Sequence, residues 1–490
     1  MANRGEIAVR VIRALREMQI ASVAVFSEAD RKALHVSMAD EAIGIGPAPS
    51  SESYLSGERI IAAALRTGAE AIHPGYGFLS ENAAFATLCS QAGIKFIGPR
   101  VDAIERMGSK TAALRVAKEV SAPVIPGSDG AMAGEAEARR VAARIGYPVL
   151  LKASAGGGGK GMRRVDRDAD LAAAMRDARS EAERAFGSSE IYLEKLIERP
   201  RHIEVQVLGD EHGRLIHLGE RECSIQRRHQ KVVEECPSPL VRSRPELRDK
   251  LGEAALRIAR AVNYSNAGTL EFLADDLGNF YFLEMNTRLQ VEHPVTEWVT
   301  GVDLVRWQIR IATGEPLTLK QEDIRWTGSA IECRVYAEDP DNNFLPSPGR
   351  ITQYTEPGGP GVRVDGGVYG GWTVPLEYDP LLAKLCVWSD TRDSAIARMR
   401  RALADYRVLG ITTNLRMFSR LMMDESWRAG ELHTGLLDEF QKRQTLEAPE
   451  PHARLAAMLA AVQAGRKQPA KAAENIRSPW QVEARRGLLR

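Results

Sequence analysis

Two glutamates in neighbouring extended segments are the first candidates for chemistry in this chain. TLEFL (269–273) and FYFLEMN (280–286) are typical of β-strands, and the polar stretch between them is typical of a turn. A hairpin centred in that turn places Glu271 directly opposite Glu284. Facing carboxylates repel each other, and a divalent cation such as Mg²⁺, which prefers oxygen ligands, would relieve the repulsion. The pair therefore predicts a metal site.

Strand alternation adds a third oxygen ligand. Because successive side chains point to opposite faces, Asn286 is expected on the face of Glu284. The same alternation places Phe280 and Phe282 on that face. A solvent-exposed face without a metal is the alternative, and the two aromatic side chains argue against it.

A glycine-rich segment, KASAGGGGKG (152–161), follows a predicted strand. Such a segment can bring backbone N–H groups close to phosphate oxygens. It is not a P-loop, because Gly161 stands where Ser or Thr must follow the lysine. Lys152 and Lys160 favour phosphate binding over the alternative, a flexible linker.

Two further segments carry polar residues at a spacing of two. In QRRHQK (226–231), strand alternation would place His229 and Lys231 on one face, suited to an anion; a solvated run of charge is the alternative. After the second strand of the hairpin, a carboxylate follows an arginine and an amide, a set that can orient and deprotonate a small oxyanion. A structural ion pair is the alternative there. These three residues are Arg288, Gln290 and Glu292.

The composition narrows the class of protein. A chain of 490 residues with 44% hydrophobic and 27% charged residues is typical of a soluble protein with two to four domains. The net charge of +1 gives no reason to expect nucleic acid or a membrane as a partner. The five cysteines form no CxxC pair, which predicts neither a zinc site nor disulfides and favours a reducing compartment, the cytoplasm.

The order of predicted elements divides the chain into four parts. Residues 1–106 alternate short apolar segments with helical patterns, which predicts a parallel α/β sheet. Residues 107–324 form a second α/β region, and residues 325–441 are rich in predicted strands and end in helices. Residues 442–490 combine a short amphipathic helix with a polar linker.

Long stretches of this sequence resemble the biotin carboxylase component of biotin-dependent carboxylases, within the ATP-grasp superfamily. The resemblance implies an α/β fold with a Rossmann-like (pre-ATP-grasp) N-terminal domain, an ATP-grasp domain with a mobile lid over about 125–195, and a mixed, β-rich C-terminal domain. The stretches that carry it are ANRGEIAVRVIRA, AIHPGYGFLSEN, MGSKTAA, KASAGGGGKGMRRV, LEKLIERPRHIEVQVLGD, RECSIQRRHQKVVEECPSP, LEMNTRLQVEHPVTE, IECRVYAEDP and EYDPLLAKL.

The resemblance assigns an ATP site. It implies lysines on the phosphates, glycines in the lid above them, and a pocket for adenine and ribose. The residues concerned are Lys110, Lys152, Gly158, Gly159, Glu194, Lys195, Leu196, Ile197, His202, Gln226 and His229.

The resemblance also assigns the reacting groups. Glu271, Glu284 and Asn286 would hold two Mg²⁺ or Mn²⁺ ions. Glu292 would be the general base, and Arg334 would stabilise the ureido enolate of biotin. The residues implied to bind bicarbonate are Lys231, Arg288, Gln290 and Val291.

The activity implied by the resemblance is the ATP- and bicarbonate-dependent carboxylation of biotin through carboxyphosphate. None of the thirteen methionines is followed by the lysine of a Met-Lys-Met attachment site. Biotin is therefore expected on a separate carrier protein, on a further C-terminal domain, or as the free molecule. The other implied partners are a second copy of the chain or a larger assembly, and a carboxyltransferase subunit. The alternatives are another ATP-grasp carboxylate–amine ligase and a catalytically impaired partner-binding subunit.

The remaining expectations concern the first strand and the subfamily of carboxylases. Related proteins have a short apolar strand before ANRGEIA, where this sequence has only Met1, so the first strand of the sheet is expected to be missing. The stretch SEADRKALHVSMADEAIGIGPAPSSESYL and the terminal SPWQVEARRGLLR are most similar to the biotin-containing subunit of 3-methylcrotonyl-CoA and related acyl-CoA carboxylases.

Overall fold

The N-terminal region contains two parallel strand pairs surrounded by helices. Its elements are α1 (Gly5–Glu17), β1 (Val23–Ser27), α2 (Leu34–Met38), β2 (Glu41–Gly46), α3 (Gly57–Thr67), β3 (Ala71–Ile72), α4 (Ala83–Gln91), β4 (Lys95–Phe96) and α5 (Val101–Met107). β1 pairs with β2 and β3 pairs with β4, both in parallel, as the sequence predicted for this region. The Met1 carbonyl accepts a hydrogen bond from Val25 N–H, and Ala2 N–H donates to the His73 carbonyl. The first two residues therefore link the two strand pairs, in the place of the first strand, which the sequence predicted to be missing.

The middle region contains most of the long strands. Its elements are α6 (Lys110–Glu119), α7 (Glu135–Ile145), β5 (Val149–Ala153), β6 (Met162–Val165), α8 (Asp168–Phe186), β7 (Ile191–Lys195), β8 (Arg201–Gly209), β9 (Leu215–Arg227), β10 (Gln230–Cys236), α9 (Pro239–Ser243), α10 (Glu246–Ala261), β11 (Asn266–Ala274), β12 (Phe280–Asn286), α11 (His293–Thr300) and α12 (Leu304–Ala312). In this computed structural model the described residues are 1–153, 162–186 and 189–444, with residues 455, 458 and 459.

The C-terminal region combines short strands with closing helices. Its elements are β13 (Ser329–Tyr336), β14 (Glu338–Asp339), β15 (Leu345–Pro346), β16 (Gly349–Arg350), β17 (Gln353–Thr355), β18 (Val362–Gly366), β19 (Thr373–Val374), β20 (Leu381–Ser389), α13 (Arg392–Asp405), β21 (Arg407–Leu409), α14 (Leu415–Leu421), α15 (Glu425–Ala429) and α16 (Leu436–Arg443). Residues 1–441 form one compact unit.

One antiparallel sheet of eight strands extends through both the middle and the C-terminal regions. Its order is β12-β11-β8-β9-β10-β13-β20-β18, so β10 of the middle region pairs directly with β13 of the C-terminal region. The sequence predicted strands in both regions but not that they share a sheet. The sheet packs against α6 and α10 on one part of its surface and against α13, α14 and α16 on another.

A smaller sheet, with the order β6-β5-β7, has a hydrophobic core of its own. Helices α7 and α8 cover it, and their buried residues include Ala138, Ala142, Leu171 and Met175. This part of the chain lies within the range expected to form the lid. No helix among the described residues is long and apolar enough to span a membrane.

Candidate active site

A cavity of about 1040 Å³ brings together nearly all the side chains singled out in the sequence. Glu292 lies behind its wall, and Gly158 and Gly159 fall outside the described residues. The predicted residues that line the cavity are Lys110, Lys152, Glu194, Lys195, Leu196, Ile197, His202, Gln226, His229, Lys231, Glu271, Glu284, Asn286, Arg288, Gln290, Val291 and Arg334.

The register of the hairpin confirms the facing glutamates. Glu271 of β11 pairs directly with Glu284 of β12. On its other side Glu271 pairs with Glu204 of β8, so three glutamates lie side by side across the sheet. Such a row is destabilising unless cations compensate it.

A β-bulge in β12 corrects one expectation about this hairpin. Leu283 has no partner on β11, and the register shifts there by one residue. The extra residue reverses the alternation, so Phe282 is buried in the hydrophobic core, where Phe280 packs against it, whereas Glu284 and Asn286 line the cavity. The expectation that the two phenylalanines share the face of Glu284 is wrong.

Lys231 compensates two glutamates of this row, Glu204 and Glu271, and also contacts Glu292. Its Nζ lies 2.5 Å from Glu204 Oε2, 2.7 Å from Glu271 Oε1 and 2.9 Å from Glu292 Oε1. These contacts use all three hydrogens of the ammonium group. Burial alone would lower the pKa of Lys231, but the three carboxylates raise it well above its usual value.

Glu292 joins this cluster to the arginine assigned to biotin. Arg334 Nη2 lies 2.9 Å from Glu292 Oε2, and Arg334 Nε lies 2.6 Å from Glu234 Oε1. Glu292 is fully buried behind Lys231 and Arg334. Burial alone would raise the pKa of Glu292, but these two cations hold it well below its usual value. The group is therefore an ionised carboxylate at neutral pH, able to accept a proton.

The segment that carries Glu292 is a loop and not a continuation of the strand. β12 ends at Asn286, and α11 begins at His293 with a proline in its first turn, which suits that position. Arg288 donates to Asn286 Oδ1 at 2.8 Å and to Gln290 Oε1 at 2.9 Å. Arg288, Gln290 and Glu292, which are spaced two residues apart in the sequence, therefore lie in a loop and not along one strand face.

The turn before Lys231 differs from the prediction in the same way. Arg228 and His229 have positive φ values of 49° and 67° and form the tight turn between β9 and β10. His229 is exposed and lines the cavity together with Lys231, but the two residues do not share a strand face.

The lysines assigned to ATP contact acidic side chains or backbone carbonyl oxygens. Lys110 Nζ, at the start of α6, is 3.1 Å from Glu284 Oε2, and Lys152 pairs with Glu194. Lys195 Nζ donates to two backbone carbonyl oxygens before β5, at 3.0 and 2.9 Å. The two lysines assigned to phosphates thus each lie beside a carboxylate.

His202 lies among the carboxylates of the hairpin. Its Nε2 is 3.1 Å from Glu271 Oε2, and Gln226 Nε2 is 3.0 Å from its Nδ1. The structure therefore places His202 next to a predicted metal ligand, although the resemblance assigns it to adenine and ribose.

Three buried residues of the site were not predicted. Glu204 accepts from Lys231 and, at 2.5 Å, from Arg221 Nε, while Glu234 fixes Arg334. A signal for Glu204 was present, because it follows His202 by two residues in a predicted strand and so shares its face. Arg221 and Glu234 lie in strands without such a neighbour.

The donor atoms on this wall fit a hard divalent cation. Glu271 and Glu284 offer carboxylate oxygens from facing positions, and Asn286 offers an amide oxygen on the same wall. Oxygen ligands of this kind suit Mg²⁺ and Mn²⁺. The ammonium groups of Lys231 and Lys110 lie against these carboxylates in the structure, which shows that the wall accepts positive charge.

A second pair of buried carboxylates lies behind Arg334. Glu234 of β10 and Glu332 of β13 are opposite each other and fully buried. Among the described residues, neither Glu234 Oε2 nor Glu332 Oε1 has a hydrogen-bond partner. Burial raises the pKa of Glu234 to about 7 and the pKa of Glu332 well above its usual value, although Arg334 and Lys384 oppose the shift.

We expect Glu332→Gln to reduce the pH dependence of stability. A carboxyl with a raised folded-state pKa binds its proton more tightly when folded, so its contribution falls as pH rises from about 4.3 through the folded pKa, by about 1.4 kcal/mol per pH unit. The amide removes this term, and the loss of melting temperature between pH 6 and pH 8 should shrink. Glu235→Gln is the control, because Glu235 is paired with Arg392. An unchanged loss for Glu332→Gln would contradict the expectation.

Three family models match successive parts of the chain. The biotin carboxylase N-terminal domain matches residues 1–104, the ATP-binding domain of the carbamoyl-phosphate synthase L chain matches residues 109–320, and the biotin carboxylase C-terminal domain matches residues 332–439. Biotin carboxylase 1 of Bacillus subtilis is 52% identical over 441 residues, which are 90% of this chain and 98% of that protein. The chain belongs to the biotin carboxylase family.

Other members of the family are equally similar. A pyruvate carboxylase subunit of Methanothermobacter thermautotrophicus is 54% identical over 442 residues, which are 90% of this chain and 89% of that protein. The structure of the biotin carboxylase domain dimer of Hydrogenobacter thermophilus 2-oxoglutarate carboxylase, in complex with MgADP, ADP and bicarbonate, has a TM-score of 0.81 and 52% identity, and covers 89% of this chain and 96% of that one.

Family membership confirms the resemblance, the ATP-grasp fold and the class of reaction. As a biotin carboxylase, the chain is an ATP-dependent ligase that carboxylates biotin with bicarbonate, and its cofactors are ATP and Mg²⁺. The matches to biotin carboxylase domains on both sides of the ATP-binding region exclude the alternative of another ATP-grasp carboxylate–amine ligase.

Proposed function

We propose that the cavity catalyses the first half-reaction of a biotin-dependent carboxylase with the residue roles that the resemblance implies. The observation that carries this proposal is the buried carboxylate of Glu292, which is ion-paired with Lys231 on one oxygen and with Arg334 on the other. One carboxylate thereby joins a cation assigned to bicarbonate to a cation assigned to biotin. That arrangement suits a site in which bicarbonate is activated and consumed in place.

In the first step, a bicarbonate oxygen attacks the γ-phosphorus of ATP, giving carboxyphosphate and ADP. Glu292 accepts the bicarbonate proton, because its carboxylate is ionised at neutral pH. Lys231 and Arg288, with Gln290 and the Val291 backbone, orient the anion. Phosphoryl transfer depends mainly on positioning and on compensation of charge, which these cations supply together with the ATP lysines.

The proposal also names the residues that would bind the divalent cations. Glu271, Glu284 and Asn286 would hold them, and the bound ions would neutralise charge on the phosphates. Lys110 and Lys231 contact two of the same carboxylates, Glu284 and Glu271. These lysines therefore lie beside the atoms that would hold the metal ions, where they would also contact phosphate and bicarbonate oxygens.

In the second step, carboxyphosphate separates into CO₂ and phosphate beside biotin. The phosphate takes the proton of biotin N1′, and N1′ then attacks CO₂ to form carboxybiotin. Arg334 stabilises the negative charge that develops on the ureido oxygen. Because Glu234 holds Arg334 Nε at 2.6 Å, the guanidinium is already oriented when biotin arrives.

The domain organisation that we propose also follows from the resemblance to the family. We place the domain boundaries near residues 106, 324 and 441, and the family models, which change near the first two of these positions and end near the third, support this division. The separate core around the sheet β6-β5-β7 supports a lid over about 125–195 that excludes water from carboxyphosphate.

The partners are a biotin carrier protein or domain, a second copy of this chain, and a carboxyltransferase subunit. The dimer of the H. thermophilus domain supports the second of these. The five cysteines are all buried and unpaired, which suits the reducing cytoplasm. The likeness to a pyruvate carboxylase subunit leaves the acyl-CoA subfamily a prediction.

The decisive experiment measures ATP cleavage with and without bicarbonate and free biotin. We expect cleavage in the presence of Mg²⁺ to require bicarbonate, and biotin to accelerate it and to be recovered carboxylated. The alternative of an impaired partner-binding subunit predicts no cleavage under any of these conditions. Cleavage that is indifferent to both bicarbonate and biotin would reject the proposed roles of Glu292 and Arg334.

A further inference from the structure

A fully buried lysine lies directly behind the residues assigned to bicarbonate. Lys384 of β20 has no exposed side-chain surface, and its Nζ donates to the Val291 carbonyl at 2.9 Å. The same Nζ is 3.1 Å from Glu6 Oε1 of α1 and 3.7 Å from Asp365 Oδ2 of β18. One ammonium group therefore connects the N-terminal helix, the C-terminal strands and the loop that ends in Glu292.

Of the two acids in contact with Lys384, Glu6 depends on it more. Asp365 also receives two hydrogen bonds from Arg363, at 2.9 and 2.7 Å, and remains compensated without the lysine. Glu6 has Lys384 and the hydroxyl of Tyr76 as partners, and its Oε2 has none among the described residues. Removal of the lysine would therefore leave the buried Glu6 carboxyl without a compensating cation.

The contact with Val291 is the part of this cluster that bears on chemistry. Residues 287–292 form a loop between β12 and α11, so no sheet ladder fixes their backbone. Val291 is itself assigned to bicarbonate, and it directly precedes Glu292. Tyr76 lines the cavity as well, and its hydroxyl donates to Glu6, so the lysine–glutamate pair supports two parts of the cavity wall.

We propose that Lys384, held by Glu6, is a positioning residue for the bicarbonate site, acting through the Val291 carbonyl on the backbone that places Glu292. This inference rests on the function proposed above for Glu292 and Val291. Lys384 touches no reacting atom; it sets the position of groups that do. A shift of about 1 Å in such groups can lower a rate on the order of 10²-fold.

The test compares Lys384→Met with the double variant Lys384→Met/Glu6→Gln. The single variant leaves the buried Glu6 carboxyl without a cation and is expected to lose melting temperature, whereas the double variant replaces both ionisable groups and should regain most of it. Bicarbonate-dependent ATP cleavage is measured for each folded protein. We expect both to show a kcat lower on the order of 10²-fold and a higher KM for bicarbonate, with the KM for ATP within about twofold of the unsubstituted chain.

Arg392→Met is the matched control. Arg392 is also a buried cation and is bound to Glu235 at 2.6 Å, but it does not line the cavity. It should lose melting temperature without a change in the KM for bicarbonate. Recovery of both stability and bicarbonate kinetics in the double variant would overturn the inference, because Lys384 would then be structural only.

The proposed function and this inference fail in different ways. If the unsubstituted chain shows no bicarbonate-dependent cleavage, the proposed function is wrong. If it shows that cleavage and the double variant matches it, only the role of Lys384 is wrong.

Discussion

Glu292→Gln is expected to lower kcat for bicarbonate-dependent ATP cleavage by about 10²–10⁴-fold, the contribution typical of a general base. The amide keeps the shape of the side chain but cannot accept the bicarbonate proton. The KM for ATP should change little, since Glu292 does not line the cavity and touches Lys231 and Arg334 rather than the ATP lysines. The measurement is ADP release at saturating ATP with bicarbonate varied.

The matched control for Glu292→Gln is Glu235→Gln. Glu235 is also buried and is paired with an arginine, Arg392, at 2.6 Å, but it lies away from the cavity. It should lose stability and retain kcat for the folded protein. If Glu292→Gln cleaves ATP at the rate of the control, Glu292 is not the base.

Arg334→Met is expected to separate the two steps of the reaction. Biotin carboxylation should fall on the order of 10²–10³-fold, as when one donor to a developing oxyanion is removed. Bicarbonate-dependent cleavage of ATP without biotin should persist, because Lys231 still contacts Glu292. The measurement is the ratio of carboxybiotin formed to ATP cleaved, at several biotin concentrations.

Arg334→Met should also move the pH profile in a defined direction. Arg334 is one of the cations that hold the pKa of Glu292 below its usual value, so its removal raises that pKa. A base is active when deprotonated, and the acidic limb of the remaining activity should therefore move to higher pH. Arg248→Met is the control, because Arg248 pairs with Glu220 away from the cavity. An unmoved limb with normal carboxybiotin yield would contradict both the contact and the role.

The facing glutamates show what the sequence can predict here. A turn-rich stretch between two apolar segments determines a register, and the register brought Glu271 opposite Glu284 as expected. The prediction of the face occupied by Phe282 failed, because the β-bulge at the unpaired Leu283 cannot be predicted from strand periodicity. Periodicity predicts neighbours within an element until the backbone departs from regular geometry.

The spacing of residues in the sequence could not predict contacts between distant elements. Arg334 lies in a strand far along the chain from Glu234 and Glu292, and nothing in the local pattern indicates that it contacts both. The resemblance to a family supplied its role, while the structure supplied its partners. Glu204 is an intermediate case, since its face was predictable from His202 but its contact with Lys231 was not.

The pairing of β10 with β13 has a consequence for how the chain is made. β13 is synthesised only after α9 to α12 and the whole β11–β12 hairpin. During translation, the N–H and C=O groups on the edge of β10 that later pairs with β13 are therefore unpaired. An exposed edge of this kind is a template for wrong association between nascent chains. Expression of the middle region alone, ending before residue 329, would make that exposure permanent, and such a fragment is expected to aggregate.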